Sequence, residues 1–220
     1  MNNPAPLDFG KYYHIYNRGN NRENVFIQER NYAYFMELWW KYTYPIAETF
    51  AYCLLRNHFH AVIYIKEQED LSGFWESTPD QHPRSRGRHN KAAPDEKLSG
   101  LESPKSKSPS QYFSNFFNAY TRGVNLATQR SGTLFESPFE RKQVSTEEYL
   151  MRLIIYTHQN PQKHGFVDDF RSWPYSSYLA LIDNSPTKLK RDKILELFGG
   201  REGFIRLHDE IQTFVDLDNE

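Results

Sequence analysis

One segment constrains the fold more than any other: Phe59-His60-Ala61-Val62-Ile63-Tyr64-Ile65 is apolar on both of the faces that a β-strand would present. A strand of this kind is typical of the centre of a sheet, where both faces are covered. A second strand-like run, Ile46 to Leu55, precedes it, and Arg56-Asn57-His58 lies between the two. The two runs predict a β-hairpin, and His60 is the polar exception in its central strand.

The sequence on either side of this hairpin predicts helices and further strands. Lys11 to Arg18 is rich in β-forming residues, and Arg30 to Tyr44 has apolar residues at helical spacing before Pro45. Beyond residue 109 we predict a helix, an extended segment and a second helix. The helix covers Ser110 to Leu126, the extended segment covers Thr133 to Val144, and the second helix covers Glu147 to Asn160. A Ser-Thr cap begins this second helix, and Pro161 should end it.

This order of elements is the split βαββαβ pattern of a ferredoxin-like domain. We therefore predict an α+β fold, in which an antiparallel sheet with helices on one face forms a palm over residues 8–180. Residues 181–220 are predicted to form a helical C-terminal extension, with short helices near Lys193 to Phe198 and Phe204 to Ile211.

Residues 68–109 differ in composition from the segments around them. They contain five prolines and several Ser and Gly residues, and their basic residues include Arg84, Arg86 and Arg88. A flexible, basic insertion is predicted from this composition. Two interpretations stay open, a solvated linker or a loop in which these arginines contact DNA.

Charge, cysteine content and hydropathy exclude several classes of protein. The net charge of −1 gives no global attraction for nucleic acid, so DNA binding would depend on local basic patches. Cys53 is the only cysteine, which excludes an intrachain disulfide and a Cys-based zinc cluster. No segment approaches the length needed to cross a bilayer, and the N-terminus lacks a secretory pattern. We expect a cytoplasmic protein that does not bind a membrane.

The pair His58 and His60 is the first candidate functional feature. Residues i and i+2 of a strand point to the same face, so the two imidazoles should project together while Phe59 packs on the opposite side. Two adjacent imidazoles can hold one divalent metal ion. The alternative is that a partly buried histidine is simply a hydrogen-bonded core residue, and the pair alone does not decide between them.

The second feature is Tyr156-Thr157-His158-Gln159-Asn160-Pro161, near the end of a predicted helix. Residues four apart share a helical face, so Tyr156 and Asn160 should be neighbours. A phenol can act as a covalent nucleophile, and an amide oxygen can bind a hard metal ion. The alternative is a packed aromatic residue followed by an amide that caps the helix.

The two features complement each other chemically. A free tyrosine titrates near ~10 and is a poor nucleophile at neutral pH. A metal ion held by two imidazoles and an amide oxygen keeps positions open for phosphate oxygens, and it can neutralise the charge that develops during phosphoryl transfer.

At this point the chain resembles the single-tyrosine HUH transposases (His-hydrophobic-His), and in particular the REP-associated tyrosine transposases. The resemblance runs from about Tyr12 to about Tyr178, and its specificity lies in six short pieces that occur in the right order. These pieces are Tyr16-Asn17-Arg18-Gly19, Asn57-His58-Phe59-His60, Arg130-Ser131-Gly132-Thr133-Leu134-Phe135-Glu136, Tyr156-Thr157-His158-Gln159-Asn160-Pro161, Lys163-His164-Gly165-Phe166-Val167 and Trp173-Pro174-Tyr175-Ser176-Ser177-Tyr178.

The resemblance implies a ferredoxin-like palm with the His58–His60 pair on its central sheet and the nucleophile Tyr156 on a C-terminal helix. Asn160 matches the polar residue that completes the metal site, and the metal would be Mg²⁺ or Mn²⁺. The implied reaction is transesterification of single-stranded DNA, which leaves a 5′-phosphotyrosine link and a free 3′-OH. The implied partner is single-stranded or hairpin DNA. Many members act as dimers, so a homodimer is one option, and the sequence does not fix the oligomeric state.

The chain departs from the resemblance in its long insertion and in Arg56, where a proline is often found. Arg18 is a further candidate for contact with DNA phosphate. Gln159 is a lesser alternative to Asn160 as third ligand, His158 is expected to be a surface or packing residue, and His164 is expected to support a turn.

Two rival functions stay open. A ferredoxin-like sheet with exposed aromatic residues also resembles a non-catalytic module that binds single-stranded nucleic acid, without any metal dependence. A structural zinc protein would use the two imidazoles, but the sequence offers no obvious third and fourth soft ligands.

Overall fold

The computed structural model describes residues 5–71 and 108–211. Its sheet has four antiparallel strands in the order β2-β3-β1-β4. The strands are β1 (Tyr12–Arg18), β2 (Ala47–Leu55), β3 (His58–Ile65) and β4 (Glu140–Val144). This confirms the ferredoxin-like prediction, because β3 lies inside the sheet between β1 and β2.

Two helices cover one face of the sheet. They are α1 (Arg30–Thr43) and α2 (Pro109–Thr128), and both place aromatic side chains in the same buried cluster. The ring of Phe35 in α1 lies 4.8 Å from that of Phe116 in α2 and 5.0 Å from that of Phe59 in β3. Aromatic packing therefore holds both helices to this face, in agreement with the apolar spacing of their sequences.

A third helix, α3 (Glu147–Lys163), lies on the opposite face of the sheet. The hydroxyl of Thr146 accepts a hydrogen bond from the backbone N–H of Tyr149, and Glu147 and Glu148 occupy the first turn, as predicted for the start of this helix. Leu153 and Ile154 on α3 share a buried cluster with Phe50 of β2.

The predicted end of this helix at Asn160 is wrong, since α3 continues through Pro161 to Lys163. A proline removes one N–H from the helix, but its own carbonyl and that of Asn160 still accept hydrogen bonds, from Phe166 and His164. The chain leaves the helix only at Gly165, whose φ of +69° is left-handed and favours glycine.

Three short helices follow and pack against α3. They are α4 (Tyr178–Ile182), α5 (Arg191–Leu197) and α6 (Arg201–Glu210). Tyr178, Ile194 and Phe204 from these helices are buried in the same cluster as Leu153 and Ile154 of α3. The C-terminal helices thus extend the hydrophobic core on the α3 side of the sheet.

Two predicted boundaries differ from the structure. The first is in the hairpin, where β3 begins at His58 and Arg56-Asn57 forms the turn. The second is in the predicted extended segment from Thr133 to Val144, of which only Glu140–Val144 is a strand. The residues before it form a loop whose Glu136 N–H donates to the carbonyl of Arg18. Most of the predicted insertion at 68–109 lies outside the described residues.

Candidate active site at the junction of β3 and α3

The predicted alternation of side chains along β3 is present in the structure. Phe59 is fully buried between the sheet and the helices α1 and α2. His58 and His60 project to the opposite face, where their ring centroids are 5.3 Å apart. His58 is half-buried and His60 is buried, so the pair extends from the surface of the protein into the interior.

Helix α3 brings Tyr156 to this histidine pair. The ring centroid of Tyr156 lies 5.6 Å from that of His60, with the planes nearly perpendicular. The Nζ atom of Lys163 lies 4.9 Å from the centre of the Tyr156 ring, so a positive charge stands beside the phenol. The side chain of Tyr156 is only 1% exposed, and the residues around it therefore have to move before a large substrate can reach its hydroxyl.

A third histidine, the buried His14 of β1, belongs to the same group and was missed by sequence reasoning. Its Nε2 lies 2.9 Å from His60 Nδ1, and the two rings are stacked with centroids 5.1 Å apart. The centroid of the His14 ring is also 6.4 Å from that of Tyr156. Alternation along β1 could have placed His14 on one face with Tyr16, but only the pairing of β1 with β3 brings it next to His60.

We call this group the front cluster. Its members are His14, His58, His60, Tyr156 and His164.

The hydrogen bonds of the two β3 histidines determine which ring nitrogens could bind a metal ion. His58 Nδ1 lies 2.7 Å from Asn57 Oδ1, an acceptor, so Nδ1 carries the proton and Nε2 has the lone pair. His60 Nδ1 lies 2.9 Å from His14 Nε2, and in the tautomer in which His60 Nδ1 is the donor, its Nε2 has the lone pair as well. Each histidine of the pair would therefore bind a metal through Nε2, with its ring oriented by a second residue.

The environment of His60 also favours the ligand form of the ring. Burial lowers the pKa of His60 well below its ordinary value, and repulsion from His14, His58, His164 and Lys163 lowers it further. His60 is thus neutral at pH 7, and neutral imidazole is the form that binds metal ions.

Asn160 is fully buried and carries an unsatisfied polar atom. Its Nδ2 donates to the carbonyl of Tyr156 at 2.9 Å, whereas its Oδ1 has no hydrogen-bond partner among the described residues. Tyr156, Asn160 and His164 follow each other at intervals of four on α3, and the ring of His164 lies 5.0 Å from that of His58. Asn160 therefore lies between Tyr156, whose ring is near that of His60, and His164, whose ring is near that of His58.

A buried amide oxygen without a donor is uncommon, and a cation is one kind of partner that would satisfy it. Within residues 5–71 and 108–211, no group of three or more His, Cys, Asp or Glu side chains is arranged to hold a metal ion. The amide oxygen of Asn160 is therefore the candidate for a third ligand beside the two imidazoles. The residues present fit a hard divalent ion with part of its coordination sphere left to water or phosphate.

The arginines predicted to contact DNA fall into two groups. Arg18 is exposed at the end of β1 and is the cross-strand partner of His58, so it lies beside the front cluster. Arg84, Arg86 and Arg88 lie outside the described residues.

The minor predictions for α3 need correction. His158 is completely buried, so the surface location considered for it is wrong, and the packing alternative holds. Gln159 Nε2 donates to the carbonyls of His208 and Ile211, which engages this side chain with α6 and the residue after it. His164 is exposed at the end of α3 and contacts His58, so it does more than support a turn.

No protein-family model and no curated protein matched the chain. A search of solved structures found a REP-associated tyrosine transposase bound to a REP hairpin, with 14% sequence identity and a TM-score of 0.55. The alignment covers 84% of this chain and 88% of that chain. Among the described residues, no helix is long and apolar enough to span a membrane. The fold predicted from the sequence is therefore the fold of a REP-associated tyrosine transposase, over most of both chains.

Proposed function

We propose that this protein is a DNA transposase that cleaves and rejoins single-stranded DNA with Tyr156 as its nucleophile. The observation that carries the proposal is the position of the Tyr156 ring, 5.6 Å from that of His60, on the face of the sheet that also carries His58. The shared fold supports it, because the solved neighbour is a tyrosine transposase bound to a DNA hairpin. We infer the same class of partner, single-stranded or hairpin DNA.

The reaction follows from the chemistry of a phenol. The oxygen of Tyr156 attacks the scissile phosphorus and loses its proton, a new O–P bond forms, and the bond from phosphorus to the 3′ oxygen breaks. The leaving oxygen takes up a proton and becomes a free 3′-OH, and the 5′ end stays attached to Tyr156. A 3′-OH can later attack this phosphotyrosine and reverse the exchange, so no nucleotide cofactor is required.

We propose that His58 Nε2, His60 Nε2 and Asn160 Oδ1 hold a divalent ion, Mg²⁺ or Mn²⁺. Such an ion would polarise the phosphate and balance the negative charge of the transition state. Oxygen ligands and open positions suit these ions, and the orphaned oxygen of Asn160 is the observation that favours this ligand set.

Other residues of the site have supporting tasks in this proposal. His14 and Asn57 orient the two imidazoles, since each lies within hydrogen-bond distance of one Nδ1. Arg18 is exposed next to His58 and would bind a phosphate of the DNA strand. The ammonium of Lys163 beside the Tyr156 ring adds positive charge where the phosphate must approach.

The decisive experiment incubates the protein with single-stranded hairpin DNA and Mn²⁺ and looks for a covalent protein–DNA adduct. We expect an adduct in the wild-type protein and none in Tyr156→Phe. Tyr149→Phe is the matched control, because Tyr149 lies on the same helix seven residues earlier. An adduct that persists in Tyr156→Phe would overturn the assignment of the nucleophile.

The same experiment tests the rival function. DNA binding without an adduct in the wild-type protein, unchanged by a chelator and by His58→Ala, would indicate a non-catalytic single-strand-binding module. Within the described residues no His, Cys, Asp and Glu group suits a structural zinc ion, so loss of folding on chelation is not expected.

A further inference from the structure

The side of α3 that faces away from the front cluster carries a continuous chain of buried hydrogen bonds. His158 Nδ1 lies 2.8 Å from His208 Nε2, and His158 Nε2 lies 2.8 Å from Ser177 Oγ. All three residues are at most 1% exposed. We call His158, Ser177 and His208 the rear chain. It joins α3 to α6 and to the residue that precedes α4.

The two ends of the rear chain fix the direction of every hydrogen bond in it. The carbonyl of Phe204 can only accept, so His208 Nδ1, 2.8 Å away, donates to it and His208 Nε2 is an acceptor. His158 Nδ1 must then donate to His208, and His158 Nε2 must accept from the Ser177 hydroxyl. Ser177 Oγ in turn accepts from the backbone N–H of Tyr52 in β2 at 2.9 Å.

This arrangement is fully satisfied only when both histidines are neutral. Burial lowers the pKa of His208 to about 4, so at neutral pH its Nε2 accepts the hydrogen bond from His158. At neutral pH the rear chain therefore forms one uninterrupted connection from β2, through α3, to α6.

The segment of α3 held by the rear chain lacks one of the hydrogen bonds of a regular helix. Pro161 has no N–H to donate to the carbonyl of Thr157, and the Thr157 hydroxyl is buried without a partner among the described residues. This turn contains both Tyr156 and Asn160. Its position depends on external contacts more than that of an ordinary helical turn does.

A second contact ties the same turn to the C-terminal segment. Gln159 Nε2 donates to the carbonyl of His208 at 2.9 Å and to that of Ile211 at 2.8 Å. His158 and Gln159 are adjacent, and both lie between Tyr156 and Asn160 in sequence. The C-terminal segment thus contacts one side of this turn through hydrogen bonds, and the other side packs near the histidines of β3.

We propose that His158, Ser177 and His208 are positioning residues, which hold the proline-weakened turn of α3 so that Tyr156 and Asn160 face His58 and His60. The effect on the reaction rests on the proposed function, whereas the effect on the helix does not. The C-terminal helices would accordingly be part of the catalytic apparatus, although none of their residues reaches the front cluster through the contacts described above.

The test compares three variants of the full chain. His208→Phe keeps an aromatic ring and removes the acceptor for His158. His208→Gln keeps an acceptor near the original Nε2. Phe204→Leu weakens the same buried cluster and keeps every hydrogen-bond donor and acceptor of the rear chain, since that chain uses only the Phe204 carbonyl. Gln159→Met serves as a milder variant should His208→Phe fold poorly.

We expect His208→Phe to slow adduct formation at saturating hairpin DNA by about tenfold to a hundredfold, with DNA affinity little changed, because small displacements of a reacting group have effects of that size. His208→Gln should recover most of the rate, and Phe204→Leu should change the rate by less than about threefold even where it lowers stability as much. Equal losses in His208→Phe and Phe204→Leu, or a faster adduct in His208→Phe, would overturn the proposal.

Hydrogen exchange supplies a readout that needs no activity. Amides of residues 157–164 should exchange about tenfold faster in His208→Phe or Gln159→Met than in Phe204→Leu at matched stability. If the wild-type protein forms no adduct, the proposed function fails. Hydrogen exchange still tests whether the rear chain holds this turn of α3 in position. Unchanged exchange in these amides would overturn the positioning role.

Discussion

Helix α3 separates two groups of histidines that have the same side-chain chemistry and different surroundings. In the rear chain every imidazole nitrogen has a hydrogen-bond partner, and the residues are almost completely buried. The front cluster extends from buried His60 to exposed His164 and lies beside Asn160, whose amide oxygen has no partner among the described residues.

We interpret this difference as a division between a structural side of the helix and the side on which the proposed active site lies. Buried polar groups in proteins are normally satisfied, so a complete network such as the rear chain adds stability and specifies one arrangement. An unsatisfied oxygen reduces stability, and a bound ligand is one way in which this cost is offset. If this distinction holds, mutations on the two sides of α3 should differ in their effects on activity and on stability.

The largest effect is expected at the front cluster. His58→Ala removes one of the two proposed imidazole ligands and should slow adduct formation about a thousandfold, equivalent to about 4 kcal/mol. His208→Gln, on the other side of the helix, should stay within a few-fold of wild type. Gel analysis of the adduct formed over time with Mn²⁺ measures the rate for both variants. A similar rate in His58→Ala and wild type would contradict the proposed metal site.

His208 of the rear chain should contribute to the dependence of stability on pH. Because burial lowers the pKa of His208 from 6.5 to about 4, the unfolded chain binds more protons than the folded chain between these values. Stability should therefore fall as the pH is lowered from 6.5 towards 4, by up to about 3 kcal/mol from this residue.

Denaturant unfolding at several pH values measures this dependence. His208→Gln should reduce the loss of stability on acidification, whereas Phe204→Leu should lower stability at every pH and retain the dependence. An identical pH dependence in wild type and His208→Gln would show that the rear chain is not its source.

Asn160 should show opposite effects on activity and stability. Asn160→Leu removes the proposed ligand oxygen and should slow adduct formation by about 2 kcal/mol of activation free energy, that is, between tenfold and a hundredfold. Without metal, the variant should be more stable than wild type by about 1 kcal/mol, since the unsatisfied amide is gone.

Thr157→Val is the matched control, because the Thr157 hydroxyl is also buried without a partner among residues 5–71 and 108–211. It should leave the adduct rate and the rise in Tm on adding Mn²⁺ unchanged, and Asn160→Leu should abolish that rise. A normal Mn²⁺ response in Asn160→Leu would remove Asn160 from the ligand set.

The smallest effect is expected for DNA binding at the edge of the front cluster. Arg18→Gln should weaken the binding of hairpin DNA by about fivefold, near 1 kcal/mol, with a lower dependence on salt. Arg122→Gln removes the same charge from an exposed position on α2, across the sheet, and should have less effect. Fluorescence anisotropy at two salt concentrations measures the DNA affinity of both variants. Equal losses of affinity would show that the effect of Arg18→Gln is one of net charge.

Local patterns in the sequence were sufficient for the elements that carry the front cluster. Alternation along β3 correctly placed His58 and His60 on one face and Phe59 on the other. Helical spacing placed Tyr156 one turn from Asn160, and the hydroxyl cap located the start of α3. The end of α3 was mispredicted because one proline removes one hydrogen bond, and the packing of the helix outweighs that loss.

The sequence by itself determined the periodicities, and therefore which side chains share a face of one element. The tertiary structure alone decided which faces meet. His14 reaches His60 across 46 residues and His158 reaches His208 across 50, and such contacts depend on strand register and helix packing rather than on spacing. Hydrogen bonding between distant residues leaves no periodic signal in the chain. The two groups of histidines on either side of α3 are therefore distinguishable only once this helix is packed between the sheet and the C-terminal helices.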